Sequence, residues 1–307
     1  MNNKYDIVAF GEALIDFISA GEGLYKANAG GAPFNLAVCA ARGGCNSAFL
    51  GKVGKDSFGE LLVSTAKANG VSTDGFVINE NLPTTHAFVT VNEEGENGFA
   101  FCRTGCADVS ITPNEVNADI IRNSRHFHFG GLSLTDEPCK SALYRALETA
   151  KEADISISFD PNYRPFLWKD SDCFVKACLS LPVKPDLLKV SENEALLLSG
   201  SSHVASAMSF LLDYAEIVLI TLGEKGVMYG TKKQIGKING YPAKTVDTTG
   251  AGDIFLGSFL AGVFHLGKPL DKLESDDIAC LADKSCQIAA ASTEKEGAIP
   301  SIPEISF

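Results

Sequence analysis

The segment DTTGAGD at residues 247–253 runs directly into the apolar stretch IFLGSFLAGVF. Its two glycines allow tight backbone turning, and Thr248 and Thr249 can cap a helix end, so a helix is predicted over residues 251–266. Residues 254–267 are the most apolar long stretch of the chain, and at 14 residues they are too short to span a membrane. We therefore expect a buried helix that starts at the glycines.

The start of this helix is a candidate anion site. Helix N-termini carry unpaired N–H groups and positive dipole character, and the glycines leave room for a phosphate close to the backbone. Asp253 would lie in the first turn, beside that site. Phosphoryl transfer to an alcohol needs both parts, namely donors for the developing phosphate charge and a base for the hydroxyl proton. The alternative is that Asp253 only stabilises the helix dipole.

A second glycine-rich segment, GGAPFNLA at residues 30–37, also leads into a helix. Pro33 suits the first helical position, and the paired glycines permit a close approach to the backbone. Asn35 then lies in the first turn, where it offers both a donor and an acceptor to a polyol. The alternative is an ordinary junction of loop and helix with a solvated Asn35.

Short apolar runs rich in β-branched residues alternate with helical patterns along the chain. The predicted strands are residues 6–10, 48–53, 125–130, 155–160, 186–190 and 217–221. The predicted helices are residues 33–42, 58–69, 138–152, 171–180, 192–198, 205–214, 251–266 and 276–291. This alternation is typical of βαβ units, so we expect an α/β fold with a mostly parallel sheet covered by helices on both faces. No linker or repeat divides the chain, which favours a single domain over residues 1–307.

Two regions interrupt the alternation. Residues 15–28 follow the first strand without a helical pattern. Residues 86–91 and 98–103 are extended arms around a polar turn at residues 92–97, which is a hairpin signal. Together these regions predict a small sheet. It is either an edge extension of the central sheet or a lid over ligands at the carboxyl ends of the strands.

The composition limits the classes of partner and compartment. With 26 basic and 38 acidic residues the net charge is −12, which argues against a nucleic-acid-binding face. The nine cysteines contain no C-x-x-C pair, so reduced thiols in the cytoplasm are expected rather than zinc ligands or disulfides. The N-terminus, MNNKYDIVAF, lacks the pattern of a signal peptide. We expect neither a membrane nor a nucleic acid as a partner.

The two glycine-rich segments resemble, in order and spacing, the two signature motifs of the ribokinase-like (pfkB-type) carbohydrate kinase family. The resemblance extends from GEALID at residues 11–16 to GAIPS at residues 297–301. It implies a Rossmann-like three-layer α/β sandwich with a mostly parallel central sheet. It also implies a small β-lid formed by segments at about residues 15–28 and 84–104.

Two further stretches most resemble the fructokinases of that family, FHFGGLSLTDEP at residues 127–138 and FDPNYRPFLW at residues 159–168. The resemblance implies an ATP-dependent sugar kinase that converts fructose to fructose 6-phosphate. Phe101 stands where the related 2-keto-3-deoxygluconate kinases tend to have a tyrosine, which favours a neutral ketose.

Other functions stay open at this point. The alternatives within the family are a 2-keto-3-deoxygluconate kinase or another sugar or nucleoside kinase. A non-catalytic regulator that binds sugar or nucleotide is the alternative from a different class. A dehydrogenase is disfavoured, because GEALIDF rather than G-x-G-x-x-G follows the first strand.

The resemblance implies a role for each matching position. Asp253 would be the base that activates a sugar hydroxyl, and Gly250, Ala251 and Gly252 would form the anion hole for the transferring phosphate. The positions implied to contact the sugar are Asp16, Gly31, Asn35, Phe101, Arg103 and Arg164. The positions implied to contact the nucleotide are Asn162, Thr221, Gly223 and Gly226.

The implied cofactors are ATP, Mg²⁺ and, as in some relatives, K⁺. Family members often carry Asn-x-x-Glu beside the magnesium. Here SENE at residues 191–194 keeps Glu194 as a water-mediated magnesium contact but has serine in the first position. The monovalent-cation loop of some relatives would fall on Asp247, Thr249, Ser292, Gly297 and Ser301. A lid sheet with one apolar face would also favour a homodimer through lid contacts.

Overall fold

The computed structural model describes residues 4–91 and 97–307. Within them a large central sheet is covered by helices on both faces, and a small second sheet stands apart from it. The predicted three-layer α/β fold is therefore confirmed. Residues 92–96 of the predicted polar turn lie outside the described residues.

Thirteen strands occur in the described residues. They are β1 (Tyr5–Phe10), β2 (Leu14–Ser19), β3 (Tyr25–Gly30), β4 (Ser47–Gly54), β5 (Ser72–Asn79), β6 (His86–Val91), β7 (Asn97–Cys102), β8 (Ser124–Gly130), β9 (Ser156–Asp160), β10 (Leu187–Ser191), β11 (Ile217–Thr221), β12 (Val227–Gly230) and β13 (Ile235–Ile238). Nine of them form the central sheet, in the order β13-β12-β11-β10-β9-β8-β1-β4-β5. All neighbours from β11 to β5 are parallel, and only β12 and β13 run antiparallel.

The helices form the two outer layers. In the described residues they are α1 (Ala32–Arg42), α2 (Ser57–Ala68), α3 (Ala118–Arg122), α4 (Cys139–Glu152), α5 (Ser171–Leu179), α6 (Glu192–Ser199), α7 (Val204–Leu211), α8 (Ala251–Leu266), α9 (Ser275–Ser292) and α10 (Ala298–Ser301). One apolar cluster packs α1, α2, α8 and α9 on one face of the sheet, and a second packs α3 to α7 on the other. None of the helices in these ranges is long and apolar enough to cross a membrane.

The strand sequences explain why both faces are covered. Ile7 and Ala9 of β1 belong to the first apolar cluster, whereas Val8 and Phe10 belong to the second. Successive side chains of a strand point to opposite faces, so an unbroken apolar run places hydrophobic groups on both. Each face must then be covered by helices to bury them.

The two regions that interrupt the alternation form the small sheet. Strands β2, β3, β6 and β7 make a separate four-stranded sheet in the order β3-β2-β6-β7. The interpretation as an edge extension of the central sheet is therefore wrong. Only Gly11, Glu12 and Ala13 separate β1 from β2, so the small sheet starts close to the carboxyl end of a central strand.

Some local predictions differ from the structure. Strands β5, β12 and β13 were not predicted. Strands β5 and β13 are the two edges of the sheet and β12 lies next to β13, and all three carry glycine or polar residues within short apolar runs. Thr248 and Thr249 do not cap α8, since Gly250 is its N-cap and no side chain bonds there. Pro33 occupies the second helical position, because α1 begins at Ala32.

Helix α8 has a more enclosed position than an amphipathic surface helix. Its ten residues from Ile254 to Val263 are all buried. It packs against α1 and α9 within the first apolar cluster. An apolar helix of this kind is held on several sides, so its N-terminus is fixed in position relative to the sheet.

We expect the Phe259→Ala variant to lower the free energy of unfolding by about 3–5 kcal/mol, because it leaves a cavity among helices that cannot collapse freely. Phe259 is fully buried in the middle of α8. Urea denaturation followed by circular dichroism measures the loss. Leu266→Ala, at the exposed end of the same helix, is the control and should change stability by no more than about 0.5 kcal/mol. Equal losses in the two variants would contradict this description of the core.

Candidate active site

Two cavities meet at the N-terminus of α8, at the edge of the sheet where the parallel strands end. The smaller has a volume of about 310 Å³ and is lined in part by β2 and β7 of the small sheet. The larger has a volume of about 820 Å³ and lies beside the end of β11. Thr248 and Gly252 line both cavities, so the start of α8 is their junction. Open α/β sheets place ligands at this edge.

Most of the predicted site residues line one of these cavities. Those in the smaller cavity are Asp16, Gly31, Asn35, Phe101, Asn162, Arg164, Thr249, Gly250, Gly252 and Asp253. Those in the larger cavity are Thr221, Gly223, Gly226, Ala251 and Gly252. The fold thus brings the two predicted groups of contacts to two adjoining volumes. Asn162 differs, because it was predicted to contact the nucleotide and lines the smaller cavity.

The register of the small sheet positions two of these residues. Asp16 pairs with Ala87 on the next strand, and Ala87 pairs with Phe101. Directly paired residues share a face of the sheet, so Asp16 and Phe101 both face the smaller cavity. The adjacent row faces the other way, where the rings of Phe17 and Phe88 stack with centroids 5.2 Å apart.

Asp253 lies in the first turn of α8, at the junction. The Asn35 amide nitrogen donates a hydrogen bond to its Oδ2 at 2.8 Å. Burial raises the pKa of Asp253 to about 7, and the Asp160 carboxylate adds to this rise while Lys189 opposes it. A carboxyl group with a pKa near neutrality is suited to accept a proton from an alcohol in the course of a reaction.

The backbone beside Asp253 offers hydrogen-bond donors. Gly250 has a φ of 76°, a conformation that favours glycine, and a Cβ there would lie 2.4 Å from the Ala298 Cβ. The Ala251 N–H donates to the Thr248 carbonyl at 3.2 Å. The N–H groups of Gly250 and Gly252 have no protein acceptor within residues 4–91 and 97–307. Two of the three groups of the predicted anion hole are thus available at the junction.

Several polar atoms in the smaller cavity also lack a partner. In the described part of the chain, five buried side-chain oxygen or nitrogen atoms make no hydrogen bond. Three of the five belong to residues that line this cavity, namely Glu12 Oε2, Asn35 Oδ1 and Thr249 Oγ1. An unsatisfied buried polar group costs about 1–3 kcal/mol, so their concentration here favours a ligand rich in hydroxyl groups.

The charges around the smaller cavity are of both signs. Burial raises the pKa of Asp16 to about 7, and the Arg164 guanidinium opposes the rise. Burial likewise raises the pKa of Glu12 to about 7, with Arg103 opposing it. The cavity therefore has carboxyl groups that can accept or donate hydrogen bonds near neutral pH, which suits the hydroxyls of a polyol.

Three charged residues of the site were missed by the sequence analysis. Lys189 and Glu12 line the smaller cavity, and Asp160 accepts a hydrogen bond from the Lys189 ammonium at 2.8 Å. Glu12 Oε1 accepts from the backbone N–H of Ala32 at 3.2 Å. The available signals were a lysine inside the apolar strand LLKVS and an acid just after the first apolar strand, since such residues are rarely buried without a partner.

The structure does not bring Arg103 to the cavity as expected. Its Nε donates to Asp108 Oδ2 at 2.7 Å, and its two terminal nitrogens donate to Thr135 Oγ1 at 2.6 Å and to the Leu132 carbonyl at 3.0 Å. The side chain is 4% exposed. Arg103 is held away from the cavity because its buried charge needs Asp108 as a partner. It contacts the cavity only indirectly, through its hydrogen bond to Leu132, which lines the cavity.

Glu194 lies outside the lining of both cavities. Its Oε1 accepts from the Tyr163 backbone N–H at 2.6 Å, and its Oε2 accepts from the N–H and the hydroxyl of Ser191. These bonds form the capping box of α6 and tie it to the loop after β9. Within the described ranges, no three His, Cys, Asp or Glu side chains are grouped to hold a metal ion.

The residues predicted for a monovalent cation lie near one another. Asp247 accepts hydrogen bonds from the backbone N–H of Thr249 and of Gly297, each at 2.8 Å. The N–H of Asp247 donates to the carbonyl of Thr293, next to Ser292. The N–H of Ser301 donates to the carbonyl of Gly297 at 3.2 Å. The unpartnered hydroxyl oxygen of Thr249 and the neighbouring carbonyl oxygens are ligands of the type that K⁺ prefers, so this loop fits such an ion.

The fold and the junction define a class of protein. A buried carboxyl group beside open backbone donors, between a polar cavity and a larger one, offers the groups that phosphoryl transfer to an alcohol requires. The class is a small-molecule kinase.

Comparison with known proteins identifies the family. The profile of the pfkB family carbohydrate kinases matches residues 4–305. Fructokinase-2 of Solanum habrochaites is 42% identical, with 98% of this chain and 94% of that protein covered. The probable fructokinase-4 of Arabidopsis thaliana is 41% identical, with 97% and 93% covered. The chain belongs to the pfkB family of carbohydrate kinases.

Solved structures share the whole fold. The fructokinase of Xylella fastidiosa with bound ATP superposes with a TM-score of 0.89 at 28% identity, and covers 99% of this chain and 96% of that one. A double mutant of the fructokinase of Vibrio cholerae O395, bound to fructose, ADP and potassium, superposes with a TM-score of 0.88 at 27% identity and the same coverage. The resemblance inferred from the sequence motifs is confirmed.

We expect Asp253→Asn to stabilise the protein increasingly as the pH rises. The folded-state pKa of Asp253 is raised from 3.8 to about 7, so its contribution to stability is present below about pH 4 and is lost as the pH rises through about 7. The asparagine does not titrate, so its advantage should grow between about pH 4 and about pH 7 and then level off. Urea denaturation of both proteins across this range measures the difference. An advantage that is constant with pH would contradict the raised pKa.

Proposed function

We propose that this carbohydrate kinase transfers the γ-phosphoryl group of ATP to fructose and forms fructose 6-phosphate. The observation that carries the proposal is Asp253, which stands at the junction of two cavities beside open backbone N–H groups. The chain matches proteins named fructokinases over nearly their whole length, and these names support fructose as the acceptor. The smaller cavity would hold the sugar, and the larger would hold the nucleotide.

The proposed reaction is an in-line transfer across the junction. Asp253 takes the proton of the sugar hydroxyl while the oxygen attacks the γ-phosphorus. The bond from that phosphorus to the bridging oxygen breaks, and ADP leaves with the electron pair. The N–H groups of Gly250 and Gly252 stabilise the charge on the transferring phosphoryl oxygens. Asn35, through its hydrogen bond, orients the Asp253 carboxylate.

The sugar contacts would come from the polar lining of the smaller cavity. Asp16 and Asn35 face the volume and have the acceptors and donors that sugar hydroxyls need. Phe101 has no hydroxyl, which supports a neutral ketose over a sugar acid. Arg164 also lines the cavity and could bind a carboxylate, so 2-keto-3-deoxygluconate is the second candidate acceptor.

The small sheet would act as a lid on a single domain. The ring of Phe101 on β7 contacts that of Phe166 in the loop after β9, with centroids 5.3 Å apart. This contact joins the small sheet to the main body above the smaller cavity. Closure there would exclude water and limit hydrolysis of ATP.

The ions would have separate roles. Mg²⁺ would enter with ATP as part of the nucleotide substrate, held by phosphates and water as this ion prefers. Because Glu194 lies outside the lining of both cavities, its proposed contact to the ion would run through water. The loop of Asp247, Thr249, Ser292, Gly297 and Ser301 would hold K⁺ beside the start of α8 and supply a fixed positive charge near the anion site.

We propose the compartment and the partners from the cysteines, the net charge and the exposed apolar side chains. All nine cysteines are free thiols, which supports a reducing compartment, and we propose the cytoplasm. The net charge of −12 supports small-molecule partners over nucleic acid or anionic membranes. Leu24 and Tyr25, at the turn between β2 and β3, are exposed apolar side chains that support a homodimer through the lid.

We expect a panel of acceptors, assayed by ADP release, to give the highest kcat/KM with fructose, by about 10²-fold over 2-keto-3-deoxygluconate. The panel contains ketoses, aldoses, sugar acids and nucleosides. Preference for the sugar acid would favour the second candidate. Tight binding of ATP without turnover of any acceptor would instead indicate a non-catalytic binding protein.

We expect Asp253→Asn to lower kcat by about 10²–10⁴-fold, the usual contribution of a general base. Fructose and ATP should still bind, since the amide keeps the size of the carboxylate and the hydrogen bond from Asn35. Steady-state kinetics and isothermal titration calorimetry measure the two effects. Turnover close to that of the unchanged protein would refute the role of Asp253.

A further inference from the structure

Lys189 is a buried cation at the junction of the two cavities. It lies on β10, its side chain is 7% exposed, and it lines the smaller cavity. Its Nζ would lie 2.6 Å from a Cβ built on Gly252, so the ammonium rests against the backbone of the glycine that both cavities share. The positive charge is therefore placed beside the open N–H group of Gly252.

The partner of Lys189 leaves part of the ammonium available. Within residues 4–91 and 97–307, its one hydrogen bond is to Asp160 Oδ2, at 2.8 Å. An ammonium group has three N–H donors, so two can serve a ligand at the junction. Although burial lowers the pKa of Lys189, the Asp160 carboxylate raises it above the ordinary value, and the group stays charged at neutral pH.

Asp160 connects this cation to the loop that lines the smaller cavity. Its Oδ2 accepts from Lys189, and its Oδ1 accepts from the backbone N–H of Asn162 at 3.2 Å. The carboxylate thus fixes the ammonium in direction and position. A charge held in this way needs no reorganisation when negative charge develops in front of it.

A second buried lysine shows what a structural ion pair looks like in this chain. Lys52 on β4 is also 7% exposed. Its ammonium donates to both oxygens of Glu115, at 2.7 and 3.0 Å, and to the Ser110 carbonyl at 3.4 Å. All three of its donors are used, and it lines neither the smaller nor the larger cavity. Lys189 differs on both points.

We infer that Lys189 is a catalytic residue that contacts the transferring phosphoryl group and stabilises the charge on its oxygens as it passes from ATP to the sugar. This inference rests on the proposed phosphoryl transfer. The ammonium stays protonated throughout, because the hydroxyl proton goes to Asp253 and the electron pair of the broken bond leaves with ADP. Asp160 is a positioning residue that acts through Lys189.

The test compares Lys189→Met with Lys52→Met, which removes an ammonium from the structural pair. We expect Lys189→Met to lower kcat for fructose by about 10²–10³-fold, the usual effect of removing one donor to a developing charge. The KM for fructose should change little. Lys52→Met should lose stability but keep the kcat of the folded protein. Lys189→Gln, which keeps a polar group toward Asp160, is measured in parallel in case the methionine variant does not fold.

A binding measurement separates a catalytic role from a structural one. Calorimetry with fructose and Mg²⁺ compares ADP alone with ADP plus aluminium fluoride, which mimics the transferring phosphoryl group. We expect the unchanged protein and Lys52→Met to bind the fluoride complex more tightly than ADP, and the Lys189 variants to lose most of that preference. A retained preference, or a kcat within about threefold of the unchanged protein, would overturn the inference.

The outcome is distinguishable from a failure of the proposed function. If the unchanged protein does not phosphorylate fructose, the proposed acceptor is wrong, and the comparison is repeated with the acceptor that the panel identifies. If the unchanged protein is active and the Lys189 variants are equally active, only the role of Lys189 is refuted.

Discussion

The first turn of α8 has two opposed requirements that the rest of the structure satisfies. Its backbone donors must stay open to a cavity, while the ten residues from Ile254 to Val263 are buried. The packing of α8 between α1 and α9 fixes the helix. Gly250, in the left-handed conformation and close to Ala298, begins the helix without a side-chain cap. A capping hydroxyl or carboxylate would occupy the donors of the proposed anion site. The donors are therefore held in place by core packing, and little rearrangement is needed for binding.

The electrostatics of the site follow from its burial. Asp16, Glu12 and Asp253 all have pKa values raised to about 7, because carboxylates are costly in a partly dry cavity. Lys189 and Arg164 oppose this effect for Asp253. Together with the unpartnered polar atoms of the same cavity, these groups make the site less stable than an apolar pocket would be. The packing of the core offsets this loss of stability, and a substrate that forms hydrogen bonds to these groups would reduce the loss.

The sequence was most informative where a motif or a period constrains the backbone. The alternation of apolar strands with helical patterns predicted the central sheet, because both faces of its strands are apolar. Edge strands such as β13 were missed, since their side chains are only half covered and leave no clear period. Glycine motifs placed Asp253 and Asn35 correctly in first helical turns. Arg103 could not be placed from sequence, because whether an arginine faces a ligand or pairs with Asp108 depends on tertiary contacts.

The two cavities of the described structure share only Thr248 and Gly252. Every other lining residue belongs to one cavity alone, so a substitution at such a residue in the larger cavity replaces no lining residue of the smaller one. Thr245, Phe255 and Ala289, for example, surround the larger volume only. Under the proposed assignment of the larger cavity to the nucleotide and the smaller to the sugar, the preferences for the two substrates could therefore diverge by independent mutations during evolution. If the larger cavity holds the nucleotide, as proposed, the same separation would let an engineer redesign the choice of nucleoside triphosphate without replacing a lining residue of the smaller cavity.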